Sequence, residues 1–269
     1  MKATRTETVD RIQVLVHEDR TSMGAAAAED CAARIRKVVA ERGECRMIFA
    51  AAPSQNELLA SLASMRDLPW DRVVAFHMDE YYGLSPEAPQ RFFNFLDAAI
   101  FSRVPLRECH ALCRSGLPLP DECARYATLL SRAPIDIVCL GVGENGHIAF
   151  NDPPADFADP LLVKEVKLDE TCRLQQVHDG AFPDLGSVPT KAVTLTVPTL
   201  LRAASMFCVV PGTRKASAVN TMLAGRIDPA CPASALRGHS DCTLYLDADS
   251  AAEWLAGRSA LGKNQNQMA

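Results

Sequence analysis

A largely apolar run, Ile135 to Leu140 (IDIVCL), leads into a loop with three glycines, Gly141 to Pro154 (GVGENGHIAFNDPP). A run of that length ending at glycine reads as a buried strand of a parallel sheet, and open α/β sheets collect ligands at the carboxyl ends of such strands. Gly141, Gly143 and Gly146 spell G-x-G-x-x-G, the spacing of a dinucleotide fingerprint. That fingerprint needs a helix opening inside it to meet the pyrophosphate, and an acidic residue about 20 positions on. Pro153 and Pro154 come too early for such a helix, and His147, Asn151 and Asp152 intervene, so the nicotinamide reading fails. The glycines instead let the backbone turn sharply and approach a small ligand.

His147 carries the chemistry of this loop. A lone histidine is most often a hydrogen-bonded structural residue, but one in a glycine loop after a buried strand, with Glu144, Asn145 and Asp152 close by, is a candidate acid/base group.

The other short apolar runs are Ile12 to Val16, Met47 to Ala51, Val73 to His77 and Met206 to Val210, with Cys242 to Leu246 the last. Helical periodicity fills the intervals: Thr21 to Arg42, stopped by Gly43; a helix to about Met65; Arg91 to Phe101; Pro120 to about Arg132; a helix to Ala224; and Asp249 to Gly257. Strands alternating with helices, without repeat or linker, predict one α/β domain over residues 1–269, a parallel sheet with helices on both faces. Val163 to Leu168 reads as a strand, Gly180 to Pro189 as a turn-rich insertion, and Val193 to Leu201 carries both strand and helix signals because of Pro198.

Composition excludes several classes. The net charge of −5 and the lack of a basic stripe with interleaved aromatics argue against nucleic acid. No apolar run approaches the roughly 18 residues of a membrane span, and the N-terminal patch is too short for a signal peptide. Ten cysteines are scattered without a CxxC pair, which predicts free thiols in a reducing cytoplasm and no metal site. The expected partner is a small molecule. Assembly is left open, with a homo-oligomer one possibility among several.

Three further segments lie at strand ends. Ser54 and Glu57 have the S-x-x-E spacing of a capping box, and the helix N-terminus they open suits a phosphate. Asp79 and Glu80 follow the Val73 to His77 strand, where adjacent carboxylates usually form a solvated turn; a carboxylate at the same sheet edge as His147 would give a second proton-transfer group. Lys215 stands at a helix start after a glycine turn, misplaced for the helix dipole unless an anion sits there.

Taken together, VVAFHMDEYYGL (Val73 to Leu84), IDIVCLGVGENGHIAFNDPP (Ile135 to Pro154) and PGTRKASAV (Pro211 to Val219) resemble, in order and spacing, the glucosamine-6-phosphate deaminase family, related to 6-phosphogluconolactonases. The resemblance spans about Ile48 to Asp247. It implies a modified Rossmann-like fold and conversion of an amino-sugar phosphate into fructose 6-phosphate and ammonia, with no metal or organic cofactor. It further implies that Asp79 is the base moving a proton from C2 to C1, that His147 assists ring opening, and that Asp152 stands for a glutamate serving ring opening and ammonia departure. Thr213 and Lys215 match the phosphate segment, with Ser54, Gln55 and Gly143 expected on the substrate.

The chain departs from the family pattern in four places. Ala50 to Asn56 (AAAPSQN) replaces a Gly/Thr-rich phosphate loop; Asn145 replaces an aspartate that orients the histidine; Asp152 is one methylene short, about 1.5 Å; and His178 falls where an arginine is usual, with Arg173 nearby. With Asn145 unable to stabilise an imidazolium, Asn145→Asp is expected to raise a rate limited by ring opening, unless Glu144 compensates. Galactosamine 6-phosphate deamination, lactone hydrolysis and sensing without turnover are the alternatives.

Overall fold

The structure, a computed structural model, describes residues 2–113 and 116–266. In chain order the elements are β1 (Arg5–Val9), β2 (Ile12–Val16), α1 (Arg20–Arg42), β3 (Cys45–Phe49), α2 (Asn56–Ser64), β4 (Val73–His77) and β5 (Asp79–Tyr81). There follow α3 (Phe92–Ala99), β6 (Glu108–His110), α4 (Leu119–Leu130), β7 (Ile137–Leu140), β8 (Val163–Lys167) and α5 (Glu170–His178). The last part holds β9 (Lys191–Leu195), α6 (Val197–Leu201), β10 (Ser205–Val210), α7 (Ala216–Ala224), β11 (Cys242–Leu246) and α8 (Ala248–Asn266).

Eight strands form one sheet in the order β1-β2-β11-β10-β7-β3-β4-β6, parallel throughout except that β1 pairs antiparallel with β2. β7 is central, as its uninterrupted burial requires. Alternate residues along each strand enter two apolar cores on opposite faces. Val138, Leu140, Cys208 and Leu244 pack with Tyr126 of α4, Val219 and Met222 of α7 and Trp254 of α8. Ile137, Cys139, Met47, Phe49 and Val209 pack with Cys31 and Ile35 of α1 and Leu58 and Leu62 of α2. The expected mixed α/β layering, with helices on both faces of a mostly parallel sheet, is therefore present.

Helix α1 ends as expected, on Gly43 in the left-handed region, whose N–H donates to the Val39 carbonyl. Two expectations are corrected and one ambiguity is resolved. Asp79 and Glu80 do not lie in a solvated turn: both are buried in β5, which joins β9 and β8 in a second, antiparallel sheet of order β5-β9-β8 that the sequence reading did not foresee. The Ser54/Glu57 capping box does not form. Arg20 takes both oxygens of Glu57, at 2.7 and 2.9 Å, and no side chain caps α2. A capping box does open α1, where Asp19 accepts from the Ser22 N–H at 2.7 Å and Ser22 Oγ accepts from the Asp19 N–H. Finally, the Val193 to Leu201 ambiguity resolves into strand then helix: Thr196 caps α6, and Pro198 sits in its first turn, where no N–H is needed.

No helix among the described residues is long and apolar enough to cross a membrane, and all ten cysteines are free.

Candidate active site

The carboxyl ends of β3, β7 and β10, together with β5 and α5, surround a cavity of about 850 Å³. Asp79, His147, Ser54, Gly143, Thr213 and Lys215 all line it, so residues far apart in sequence are brought to one hollow.

Asp79 enters from β5, one residue past Met78, whose backbone N–H and carbonyl bond Phe49 and Leu195 and so clamp this crossing between the two sheets. The residue is only 6 % exposed, and its carboxyl accepts no hydrogen bond from the described residues. Burial, and then the neighbouring Glu80, hold its pKa well above the usual carboxylate range. An unsolvated, unpaired carboxylate is a stronger base than one in water, as proton abstraction from carbon requires.

Glu80 points the other way. Its oxygens accept from the N–H groups of Tyr81, Phe92 and Phe93, each at 3.0 Å, and face Arg91 Nε at 3.5 Å. The two adjacent acids thus divide their work by strand alternation: one faces the cavity, the other anchors α3.

His147 is held by the loop's own geometry. The Gly143 N–H donates to the His147 carbonyl, and a Cβ on Gly143 would lie 2.2 to 2.4 Å from three imidazole atoms, so only glycine fits beside the ring. Asn145 Nδ2 donates to Asp152 Oδ1 at 3.2 Å, which leaves Asn145 Oδ1 to accept from the His147 backbone N–H at 3.0 Å and from Nδ1 at 2.7 Å. A carboxylate can only accept, so this chain of bonds fixes the amide orientation and puts the ring proton on Nδ1. The lone pair of Nε2 is then free of described protein partners and available to substrate.

Asp152 also lies 3.4 Å from His147 Nδ1. Burial pushes its pKa up, but the hydrogen bond and charge of His147 and the Asn145 amide outweigh this, and the carboxyl is held below its ordinary value. The carboxylate missing at Asn145 is thus supplied from Asp152. Asp152 and Asn145 sit behind the imidazole rather than on the cavity wall.

This reverses the expected sign for Asn145→Asp. A carboxylate there would face Asp152 at about hydrogen-bond distance, and the pair would hold a proton between them. Asn145→Asp alone is expected to lower kcat about tenfold at neutral pH, the lower end of what altered supporting shells cost, and Asn145→Asp with Asp152→Asn to recover most of it. A faster single variant, in steady-state assays, would refute this arrangement.

At the far end, Lys215 is 8 % exposed, and no hydrogen bond or ion pair to its ammonium is formed among the described residues. Burial lowers its pKa, against the opposing pull of Asp179 and Glu144. Arg20 and Arg214 also line this end, so three cations converge near the starts of α2 and α7. Neither arginine was singled out from the sequence, because nothing local marks a surface arginine that folds over a distant loop.

Two nominated residues lie elsewhere. Gln55 is fully buried, and its amide donates to Ser54 Oγ, Leu140 O and Val209 O at 3.2 to 3.3 Å, bracing the ends of β7 and β10 rather than facing the cavity. His178 is half exposed and lies 3.5 Å from Glu144, while its carbonyl accepts from Arg214; it does not line the cavity. Glu144, which it faces, lines the cavity together with His147. Arg173 is spent on the carbonyls of Leu185 and Val188. Gln175 and Gln176 of α5, missed because that helix lacks apolar periodicity, line the cavity instead.

Residues 18–245 match the family model described as glucosamine-6-phosphate isomerases/6-phosphogluconolactonase. The chain is 32 % identical over 209 residues to a glucosamine-6-phosphate deaminase of Listeria monocytogenes, covering 78 % of this chain and 88 % of that one. It is 33 % identical over 194 residues to one of Bacillus thuringiensis, covering 71 % and 72 %. Among solved structures it is similar to a monomeric glucosamine-6-phosphate deaminase, with a TM-score of 0.82 at 29 % identity over 89 % of this chain and 99 % of that one. A 6-phosphogluconolactonase from Thermotoga maritima shares the fold, with a TM-score of 0.72 at 20 % identity over 90 % of this chain and 100 % of that one.

Proposed function

The chain belongs to the glucosamine-6-phosphate isomerase/6-phosphogluconolactonase family, and we propose that it is an enzyme converting glucosamine 6-phosphate to fructose 6-phosphate and ammonia. The observation that carries this reading is the meeting of Asp79 and His147 on one cavity whose other end gathers Lys215, Arg214 and Arg20. An aldose-to-ketose shift needs proton transfer at separate atoms of one substrate, and a phosphate gives the leverage to hold it.

In this reading the phosphate lies against Lys215, Thr213, Ser54 and the two arginines, where first-turn N–H groups add a partial positive charge. His147 Nε2 takes the anomeric hydroxyl proton and passes it to the ring oxygen, opening the sugar. The Nδ1–H, held by Asn145 with Asp152 beyond, keeps the ring in the tautomer that can accept, and Asp152 stabilises the imidazolium so formed. Asp79 removes the C2 proton from the open chain and returns it at C1, and water then adds to the resulting C2 imine, whose collapse to the ketone releases ammonia. Asp152 acts through His147, as a positioning and charge-balancing residue. Both sheets contribute to this cavity, in support of reading the chain as one catalytic unit. Ten free thiols fit a cytoplasmic location.

The test incubates the purified protein with glucosamine 6-phosphate, galactosamine 6-phosphate and 6-phosphogluconolactone, following ammonia, ketose and acid. Ammonia and ketose from the first substrate are expected. Preference for the galacto epimer would reassign the substrate, acid from the lactone would reassign the reaction, and tight binding without product would leave a sensor. Lys215→Ala is expected to raise KM about 10- to 100-fold, the loss of a charge-assisted contact of about 1.5 to 3 kcal/mol. An unchanged KM would move the phosphate elsewhere.

A further inference from the structure

Behind the imidazole lies a third group that the proposed reaction does not use. Cys172 of α5 is buried, and its thiol sulfur lies close to the Asp152 carboxylate. One ligand-type atom from each of His147, Asp152 and Cys172 falls within 4.8 Å of the others. Nitrogen, carboxylate oxygen and sulfur together form the mixed donor set that a borderline-soft divalent ion prefers over magnesium or calcium.

The distances fit such an ion. With bonds of about 2.0 Å to nitrogen and oxygen and about 2.3 Å to sulfur, a tetrahedral centre spaces its ligands by roughly 3.3 to 3.7 Å. His147 Nδ1 and Asp152 Oδ1 are already 3.4 Å apart. The three atoms lie within 4.8 Å of one another, so the sulfur has to close by at most about 1.3 Å, within the reach of a rotamer adjustment. His147 itself lines the cavity, while Asp152 and Cys172 lie behind it.

We propose that His147, Asp152 and Cys172 form an inhibitory binding site for a zinc-like divalent ion, with water in the fourth position. Binding releases the Cys172 thiol proton to solvent. The ion takes the Nδ1 lone pair, so the ring proton moves from Nδ1 to Nε2 through solvent and the Asn145 hydrogen bond to Nδ1 is lost. The histidine then presents an N–H to the cavity and cannot accept the proton that ring opening requires. The binding stands on geometry alone, while the inhibition rests on the role of His147 in the reading above.

The test titrates the metal-stripped full chain with Co²⁺, which reports thiolate ligation by a sulfur-to-metal charge-transfer band without any substrate. A band saturating at one equivalent is expected in the unaltered protein and in Cys109→Ser, and its loss in Cys172→Ser. Cys172→Ala repeats the test should serine disturb that buried position. A band surviving in both Cys172 variants, or no band at millimolar cobalt, overturns the site. In turnover assays, Zn²⁺ inhibition reversed by a chelator and weakened about tenfold or more in Cys172→Ser is expected; equal inhibition of both proteins overturns the regulatory role. Cobalt binding with no amino-sugar turnover would instead count against the assigned reaction and leave the ion site standing.

Discussion

Asp79→Asn lowers kcat for glucosamine 6-phosphate by about 10²- to 10⁴-fold, the range a positioned general base contributes, while KM stays within about threefold because the amide keeps the shape of the carboxyl. The same substitution is expected to stabilise the fold at neutral pH. The pKa of Asp79 is raised in the folded chain, by burial and then by Glu80, so its ionisation costs stability in full above that raised value, and the penalty shrinks as pH falls below it and is gone below the ordinary carboxylate value. An asparagine carries no such penalty. The sign also fixes the pH profile: the base must be ionised, so kcat/KM should fall as pH drops through a limb lying above the ordinary carboxylate range. Steady-state kinetics and thermal unfolding across pH check both halves. Unchanged kcat would remove Asp79 from the chemistry, and a limb at ordinary carboxylate pH would contradict its environment.

Glu80→Ala is expected to be the most damaging change to stability outside the apolar cores. Three backbone N–H groups and the buried Arg91 converge on this carboxylate, and deleting it strands the three N–H groups and leaves the Arg91 charge, still bonded to the Leu112 and Cys113 carbonyls, without its counter-ion. Its pKa is raised by burial in spite of those donors. Removing one partner of a buried pair costs about 3 to 5 kcal/mol, which for a chain of this size is a fall in Tm of roughly 6 to 20 °C. Because Glu80 adjoins Asp79 on β5, activity should fall with it even below the new Tm. A loss smaller than about 1 kcal/mol in denaturant titration would show that water replaces the carboxylate.

The parts of this molecule that local pattern determines were readable from the chain. Ile137 to Leu140 is apolar on both faces because it is the centre of a doubly covered sheet, and such a strand needs no partner information to be recognised. The glycine loop after it, and the histidine within, follow from the same logic. What escaped depends on contacts distant in sequence. The three-residue β5 is too short to show alternation, and its two acids look like a turn until β9 is seen to pair with it. Glu57 has the spacing of a cap, yet Arg20 from α1 claims it. Asn145 and Asp152, read separately, look like two losses; in the fold they are one relocation of charge behind the imidazole.

The most direct measurement of the central claim is a crystal structure of Asp79→Asn with glucosamine 6-phosphate trapped in the cavity. The side chain of residue 79 is expected within about 3.5 Å of C2, His147 Nε2 within about 3 Å of the ring oxygen or anomeric hydroxyl, and the phosphate on Lys215. A sugar bound with its phosphate toward residue 79, or seated outside this hollow, would contradict it.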